Sequence, residues 1–302
     1  NVIKNNSFDR TKSYFSCYYN SIVLFTDYDA KSYNFAIRYN DITKSNELYV
    51  ILYNDNKVNK DPYYNYYQYI PHRTTSYLNN SVYNAYLDQY GVSDESVLYN
   101  QADLFFKIQN KYSINATMMY ALALNESGLG LSQYALEYHN LFGHAAIDEN
   151  PDNANQYSSL AECVKQHAYN FLQQGYLNPN DSRYHGSWFG DKASGINVNY
   201  ASDPYWGEKA ASFYYHLDEG GIDQKKNPIK TIQLSKDLKV YAPNKKDVLY
   251  TYKKGNIVSI HILKNEIGYY KISSEAPIKD NDLNVNSKYK NSYVYIKKSD
   301  FK

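Results

Sequence analysis

The chain is 302 residues long, 43% hydrophobic and 21% charged, with a formal net charge of +1. That length supports one large domain or two smaller ones with real cores. The few prolines and glycines, 8 and 13, exclude collagen-like and linker-dominated architectures. No apolar run approaches the roughly 18–20 residues of a membrane-spanning helix, and a start at Asn1 rather than Met fits a fragment or a mature form.

In chain order, residues 1–65 read as strand-rich, with short β-prone runs at 22–25, 33–38 and 48–53 broken by Asp, Asn and Lys. Residues 66–80 are aromatic and irregular. A helical pattern then covers 81–90 and stops at Gly91. Ser93-Asp94-Glu95 is expected to open a helix reaching about Lys111, with Val97, Leu98, Ala102, Leu104, Phe105 and Ile108 on its apolar side. Asn115 caps the next helix, which carries Met118, Met119, Leu122 and Leu124 and ends at Glu126-Ser127-Gly128. Ser159 and Glu162 form a capping box, each satisfying a backbone N–H at the start of a helix that stops at Gly175. A long polar loop over 176–202 contains Gly186, Gly190 and Gly195, and Asp203-Pro204 caps a last helix ending at Gly220-Gly221. After a Lys-rich linker at 223–230, short alternating runs at 238–241, 248–252, 257–262, 269–272 and 293–296 indicate a small all-β module. Its strands are expected to close a core without the helical body.

Charge divides the same way. Residues 225–302 hold 17 Lys and 7 acids, whereas residues 1–224 hold 15 Lys and Arg against 24 acids. An acidic body with a basic tail suggests two modules with different partners, the tail favouring an anionic surface unless its charge serves only solubility. The 38 tyrosines are open to two readings, an AT-rich codon bias or a sugar-binding surface built from flat rings with polar tips. Cys17 and Cys163 make no disulfide scaffold and no zinc ribbon, and Cys163, inside a helical pattern, reads as a small buried apolar residue. The histidines are scattered without an HxxxH pair, so no metal or organic cofactor is implied.

One segment points to chemistry. A carboxylate at a helix end, backed by small and apolar residues, is pushed towards its protonated form and can donate a proton, the requirement for a glycosidase general acid. Glu126 sits in such a context. Asn140-Leu141-Phe142-Gly143-His144 and Gly195-Ile196-Asn197-Val198-Asn199-Tyr200-Ala201-Ser202-Asp203-Pro204-Tyr205-Trp206 follow it. With the Tyr67-Gln68-Tyr69-Ile70-Pro71 lead-in, these ordered motifs over residues 66–217 resemble glycoside hydrolase family 73, the bacterial endo-β-N-acetylglucosaminidases of cell-wall autolysins. His144 departs from the family segment, where a small or apolar residue is more common.

The resemblance implies an α+β, lysozyme-like, mainly helical catalytic domain at 66–222. It also implies hydrolysis of the β-1,4 bond after N-acetylglucosamine in peptidoglycan glycan strands. It places Glu126 as the acid and Tyr200 near the substrate N-acetyl group. The second carboxylate would come from a hairpin offering Asp148, Glu149 and Asp152, of which Asp148 is favoured. Asn140, Phe142 and Asp203 are expected around the substrate, Asp203 also as a helix cap. One of Tyr205 and Trp206 is expected as a sugar platform while the other packs, and Trp188, in a Gly-rich loop, as a further exposed platform. Residues 229–302 resemble a bacterial SH3-type barrel. It would bind cell-wall peptide or an anionic wall polymer. The strand-rich segment 1–65 matches no family. A secreted, wall-associated enzyme is expected, with no nucleic-acid partner. A lytic transglycosylase, a muramidase or a non-catalytic wall-binding protein stand as alternatives.

Overall fold

The computed structural model describes residues 14–18, 21–25, 33–36, 51–54, 65–144, 155–275 and 293–302. The chain divides into two compact units, Asn1–Asn65 and Tyr66–Lys302. In the first, β1 (Tyr14–Tyr18) pairs antiparallel with β2 (Ser21–Phe25), and β3 (Tyr33–Ala36) with β4 (Ile51–Asn54). Among these, β1 was not legible from the sequence pattern, and β4 overlaps the run expected at 48–53, whose first residues lie outside the described ones.

After α1 (Asn65–Tyr69), the second unit is helical through residue 226. Its central element is α4 (Ala116–Glu126), in which every residue from Ala116 to Leu124 is buried. A helix apolar on all sides must be enclosed by others, and α4 packs against α3 (Ala102–Tyr112) and α7 (Trp206–Leu217). Asn115 caps α4 as expected: its side-chain oxygen accepts from Met118 N at 3.0 Å, while its amide donates to Thr74 Oγ1 and Tyr214 Oη. The remaining helices are α2 (Asn80–Gln89), α5 (Gln133–Tyr138), α6 (Leu160–Gln166), which continues in π-helical winding over His167–Tyr176, and α8 (Ile222–Lys226).

Helix α3 starts at Ala102, not at Ser93. Residues 93–100 form turns, and Asn100, at φ +60°, takes the left-handed conformation that breaks a helix. The capping box is half formed: Ser159 Oγ accepts from Glu162 N at 3.2 Å, whereas the Glu162 carboxylate accepts from Lys165 and Gln166 side chains.

The C-terminal strands β5 (Ile229–Gln233), β6 (Leu238–Tyr241), β7 (Val248–Tyr252), β8 (Ile257–Glu266), β9 (Tyr269–Ser273) and β10 (Tyr293–Lys297) form one antiparallel sheet in the order β5-β8-β9-β10-β6-β7. Its edges β5 and β7 do not pair with each other, so the sheet is open and the SH3-like barrel expected from sequence is not formed among the described residues. Strand β5 begins inside what read as linker.

Nor does the sheet close its own core. Leu238, Val240, Ile272, Val294 and Ile296 pack in one cluster with Tyr69 and Trp188 of the helical part. At the same junction Arg73 donates through Nε to Ser274 O and through Nη1 to Tyr112 O and Ser113 O, tying the end of α3 to the end of β9. Glu275, whose carboxyl burial raises to about 7, accepts from Tyr252 Oη, which in turn accepts from Tyr184 Oη at 2.9 Å.

Trp188 is therefore a correction to the sequence reading. It is 0% exposed, and its indole N–H donates to Ser194 Oγ at 3.2 Å. The neighbouring glycines make room for the ring rather than display it: a Cβ at Gly186 would lie 2.3 Å from the indole, and one at Gly195 2.7 Å. Trp188 belongs to the shared core and is no sugar platform. Trp188→Ala is expected to cost about 3–5 kcal/mol of stability, read as a lower melting temperature of the helical part and the sheet together. A loss near 1 kcal/mol, or separate melting of the two parts, contradicts the shared core.

Candidate active site

Glu126 is the last residue of α4. The helix stops there for a local reason. Ser127 Oγ turns back to donate to Ala123 O and also accepts from Gly130 N, and Gly128, at φ +55°, redirects the chain. This leaves the Glu126 carboxylate at the rim of the buried helix, only partly exposed. Trp206, the first residue of α7, donates its indole N–H to Glu126 Oε1 at 2.5 Å, and Asn125 Nδ2 donates to the same oxygen at 3.2 Å.

Burial raises the Glu126 pKa above the ordinary carboxyl value. The Trp206 and Asn125 hydrogen bonds favour the anion and oppose the rise, and the negative charge of Asp203 adds to it. The result is a carboxyl biased towards its protonated form, aligned by a neutral donor.

The loop before α7 supplies the remaining groups. The Tyr200 ring packs 4.6 Å from the Trp206 indole at 30°, with Tyr176 5.4 Å beyond it and Phe189 set edge-on to Trp206 at 5.9 Å. Burial and the nearby Glu126 hold the Tyr200 phenol well above its usual pKa, so it stays neutral and able to donate. Asn197 and Lys192 staple this loop. Asn197 Nδ2 donates to Asp203 O and Pro204 O, both at 3.2 Å, and Lys192 Nζ donates to Asn197 O at 2.7 Å and Ala201 O at 2.5 Å.

Asp203 Oδ1 accepts from Tyr205 N at 2.9 Å, and Oδ2 pairs with Lys209 at 2.6 Å. It makes a turn just ahead of α7 rather than capping it. The cap position is Tyr205, with no side-chain cap bond. The start of α7 is further fixed by close approach to the loop, since a Cβ at Gly207 would fall 1.8 Å from Gly190 O.

Of the residues singled out from sequence, Glu126, Tyr200, Asp203 and Trp206 come together. Trp206 is 4% exposed and packs while its indole holds the Glu126 carboxyl, and Tyr205 is the more exposed of the pair. Asn140 and Phe142 are corrections. Both are buried. The Asn140 side chain closes a turn through His144 N and O, and Phe142 stacks on His167 at 3.8 Å. His144 stacks on Phe171 at 3.9 Å, hydrogen-bonds Tyr157 Oη at 2.7 Å and shares a bond with His167 at 3.0 Å; burial lowers its pKa to about 4, keeping it neutral. These residues organise the turn behind the site.

Asp148, Glu149 and Asp152 lie outside the described residues. Cys163 is buried, and burial pushes its thiol up to about 12. Among the described residues no group of three or more His, Cys, Asp or Glu side chains could hold a metal ion, and no helix is long and apolar enough to cross a membrane. The Trp206 donor, Tyr176 and the Lys192 staple were missed from sequence. Only the closeness of Trp206 to the Asp203-Pro204 helix start hinted at any of them.

The stretch that contains these groups has known relatives. Residues 102–219 match the glucosaminidase family model, described as mannosyl-glycoprotein endo-beta-N-acetylglucosaminidase. That stretch is similar to glucosaminidase domains, and it spans Glu126, Tyr200, Asp203 and Trp206. A candidate endo-beta-N-acetylglucosaminidase of Streptococcus pneumoniae serotype 4 (strain ATCC BAA-334 / TIGR4) is 35% identical over 133 residues, which cover 43% of this chain and 19% of that protein. The counterpart from strain ATCC BAA-255 / R6 is also 35% identical over 133 residues, 43% of this chain and 18% of that protein. The chain thus matches about a fifth of the length of these curated relatives. Among solved structures, S. aureus Autolysin E in complex with the disaccharide NAG-NAM is 20% identical, with a TM-score of 0.41 over 51% of this chain and 72% of that chain. S. aureus glucosaminidase B is 18% identical, with a TM-score of 0.37 over 51% and 66%. The likeness rests on the sequence matches.

Replacing Lys192 by Met is expected to loosen the loop before α7. Hydrogen bonds from a charged donor contribute about 1.5–3 kcal/mol, so the amides of Asn199, Tyr200 and Trp206 should exchange faster while those of α3 do not change. Unaltered exchange at all three amides contradicts the staple.

Proposed function

We propose that this protein is a glycoside hydrolase of the endo-β-N-acetylglucosaminidase type, cleaving the β-1,4 bond after N-acetylglucosamine in peptidoglycan glycan strands at the cell wall. The observation that carries this reading is the Glu126 carboxyl, desolvated at a helix end and held by the Trp206 indole inside a matched glucosaminidase domain. Glu126 delivers its proton to the glycosidic oxygen as the bond to the anomeric carbon breaks. The neutral Tyr200 phenol stands beside the acid to orient the substrate N-acetyl group, whose oxygen attacks the anomeric carbon. The alternative route has a second carboxylate, which we assign to Asp148, activating water. Carboxyl separations of roughly 5 Å and 6.5–9.5 Å distinguish retaining from inverting glycosidases. Asp203 supports the site twice, through the turn before α7 and through its charge on Glu126. The enzyme would work as a secreted, wall-associated protein, with the basic C-terminal region binding an anionic wall component.

Glu126→Gln keeps the side chain's shape and removes its transferable proton, so lysis of purified walls should fall about 10²–10⁴-fold without loss of fold. Asp148→Asn should lose more activity than Glu149→Gln or Asp152→Asn. Mass spectrometry of the released glycan should show reducing N-acetylglucosamine ends. Anhydro-muramic or reducing muramic ends contradict the proposed bond, and near-normal lysis by Glu126→Gln contradicts the proposed acid.

The pH profile follows from the same groups. The acid form of Glu126 is active, so the rate falls as pH rises through its elevated pKa. Asp203→Asn removes a charge that raises this pKa and moves the fall to lower pH. Trp206→Phe removes a bond that favours the anion and moves it to higher pH. Shifts of the same sign in both variants contradict the assignment.

A further inference from the structure

The sheet has two unlike faces. One carries Val240, Ile272, Val294 and Ile296 into the core shared with Trp188. The alternate residues of the same strands point the other way, and residues opposite each other in an antiparallel ladder share a face. Register places Tyr241, Tyr295, Lys271 and Lys264 in one row across β6, β10, β9 and β8, with Lys297, Tyr269 and Glu266 in the next.

Lysines lie over the rings of this face. Lys271 Nζ is 3.6 Å from the Tyr293 centroid, Lys245 Nζ 4.3 Å from Tyr295 and 5.1 Å from Tyr269, and Lys297 Nζ 5.3 Å from Tyr241. The rings brace one another edge-on, Tyr293 to Tyr295 at 5.9 Å and Tyr269 to Tyr295 at 6.2 Å. On the strands of this face the described acid is Glu266, paired with Lys245 at 2.8 Å. Lys264 lies 3.9 Å from the other Glu266 carboxylate oxygen with 70% of its side chain exposed, and Lys239 is exposed on β6. Cation–π contacts position an ammonium group without cancelling its charge, so the face is a flat, ordered array of positive point charges.

We propose that this Tyr–Lys face binds an extended polyol-phosphate polymer of the wall, which deepens the wall-associated reading above and rests on it. Three features select that occupant. Residues 225–302 contain no arginine, so the face lacks the planar fork that grips carboxylates and relies on ammonium groups, which bind phosphate as point charges. Single-stranded nucleic acid needs bare aromatic faces for stacking, and here lysines occupy them. The rows run across the strands as an extended track, matching a chain with one charge per repeat.

The test titrates the 302-residue chain carrying Glu126→Gln with poly(glycerol phosphate), polyglutamate and a single-stranded oligonucleotide. This keeps the result independent of hydrolysis: failure of the parent chain to cleave glycan, alongside binding here, overturns the glucosaminidase reading and not this one. Poly(glycerol phosphate) should bind tightest, and weaken between about 0.01 M and about 0.15 M salt as the Debye length falls from about 30 Å to about 8 Å. Lys245→Gln/Lys271→Gln/Lys297→Gln should weaken binding about tenfold or more. Lys239→Gln/Lys264→Gln, which leaves the ring-stacked lysines in place, should weaken it too and serves if the triple variant does not fold. Lys253→Gln/Lys254→Gln, on the turn after β7, should bind as the parent. No binding, equal binding of polyglutamate or the oligonucleotide, or an equal loss in the turn variant overturns the proposal.

Discussion

The hydrogen bond from the Trp206 indole to Glu126 joins the end of α4 to the start of α7, and the geometry of the site depends on it. A carboxyl at the rim of an apolar helix would be free to turn towards water if nothing fixed it. A neutral donor fixes it without supplying the positive charge that would drive the proton off, so orientation and a raised pKa coexist. The bond in turn requires α7 to begin where it does. Contact of Gly207 with Gly190, the Asp203 turn and the Lys192 and Asn197 staples all act on that starting point.

The second constraint is the core shared by helices and sheet. The apolar face of an open sheet needs a cover, and Tyr69 and Trp188 provide it. Trp188 lies in the loop segment that leads, through Gly190 and Ile196, to Tyr200. Its carbonyl accepts from Ile196 N at 2.8 Å, so the sheet's core and the loop that carries Tyr200 are hydrogen-bonded neighbours. Covering one face of the sheet in this way leaves the tyrosines and lysines on the other.

Much of this was legible in the sequence because local rules dominated there. Asn115 and Ser159 cap helices as their side chains predict, the Ser127-Gly128 stop sets Glu126 at a helix end, and five of the tail strands form where their short runs predict them. The failures are those of tertiary context. A tryptophan among glycines looks exposed until a sheet is laid over it. Asn140 and Phe142 lie in a motif yet are buried and support a turn. The tyrosine excess divides. Tyr83, Tyr120 and Tyr214 are fully buried core with their hydroxyls bonded to Thr117, Leu98 O and Asp223, while Tyr269 and Tyr293 sit on the sheet's lysine face. Composition cannot separate these two uses, because the same ring serves both. The bond between Trp206 and Glu126 spans 80 positions, and no local pattern announces such a pairing.

The central claim is that burial holds the Glu126 carboxyl in its acid form beyond the ordinary carboxylate range while Trp206 aligns it. The direct measurement is a carbon-13 NMR titration of glutamate side-chain carboxyls, with the Glu126 resonance identified by its loss in Glu126→Gln. The account predicts a midpoint above the usual glutamate value of about 4.3 that rises further in Trp206→Phe. A midpoint at or below that value in the parent protein, or one unmoved by Trp206→Phe, contradicts it.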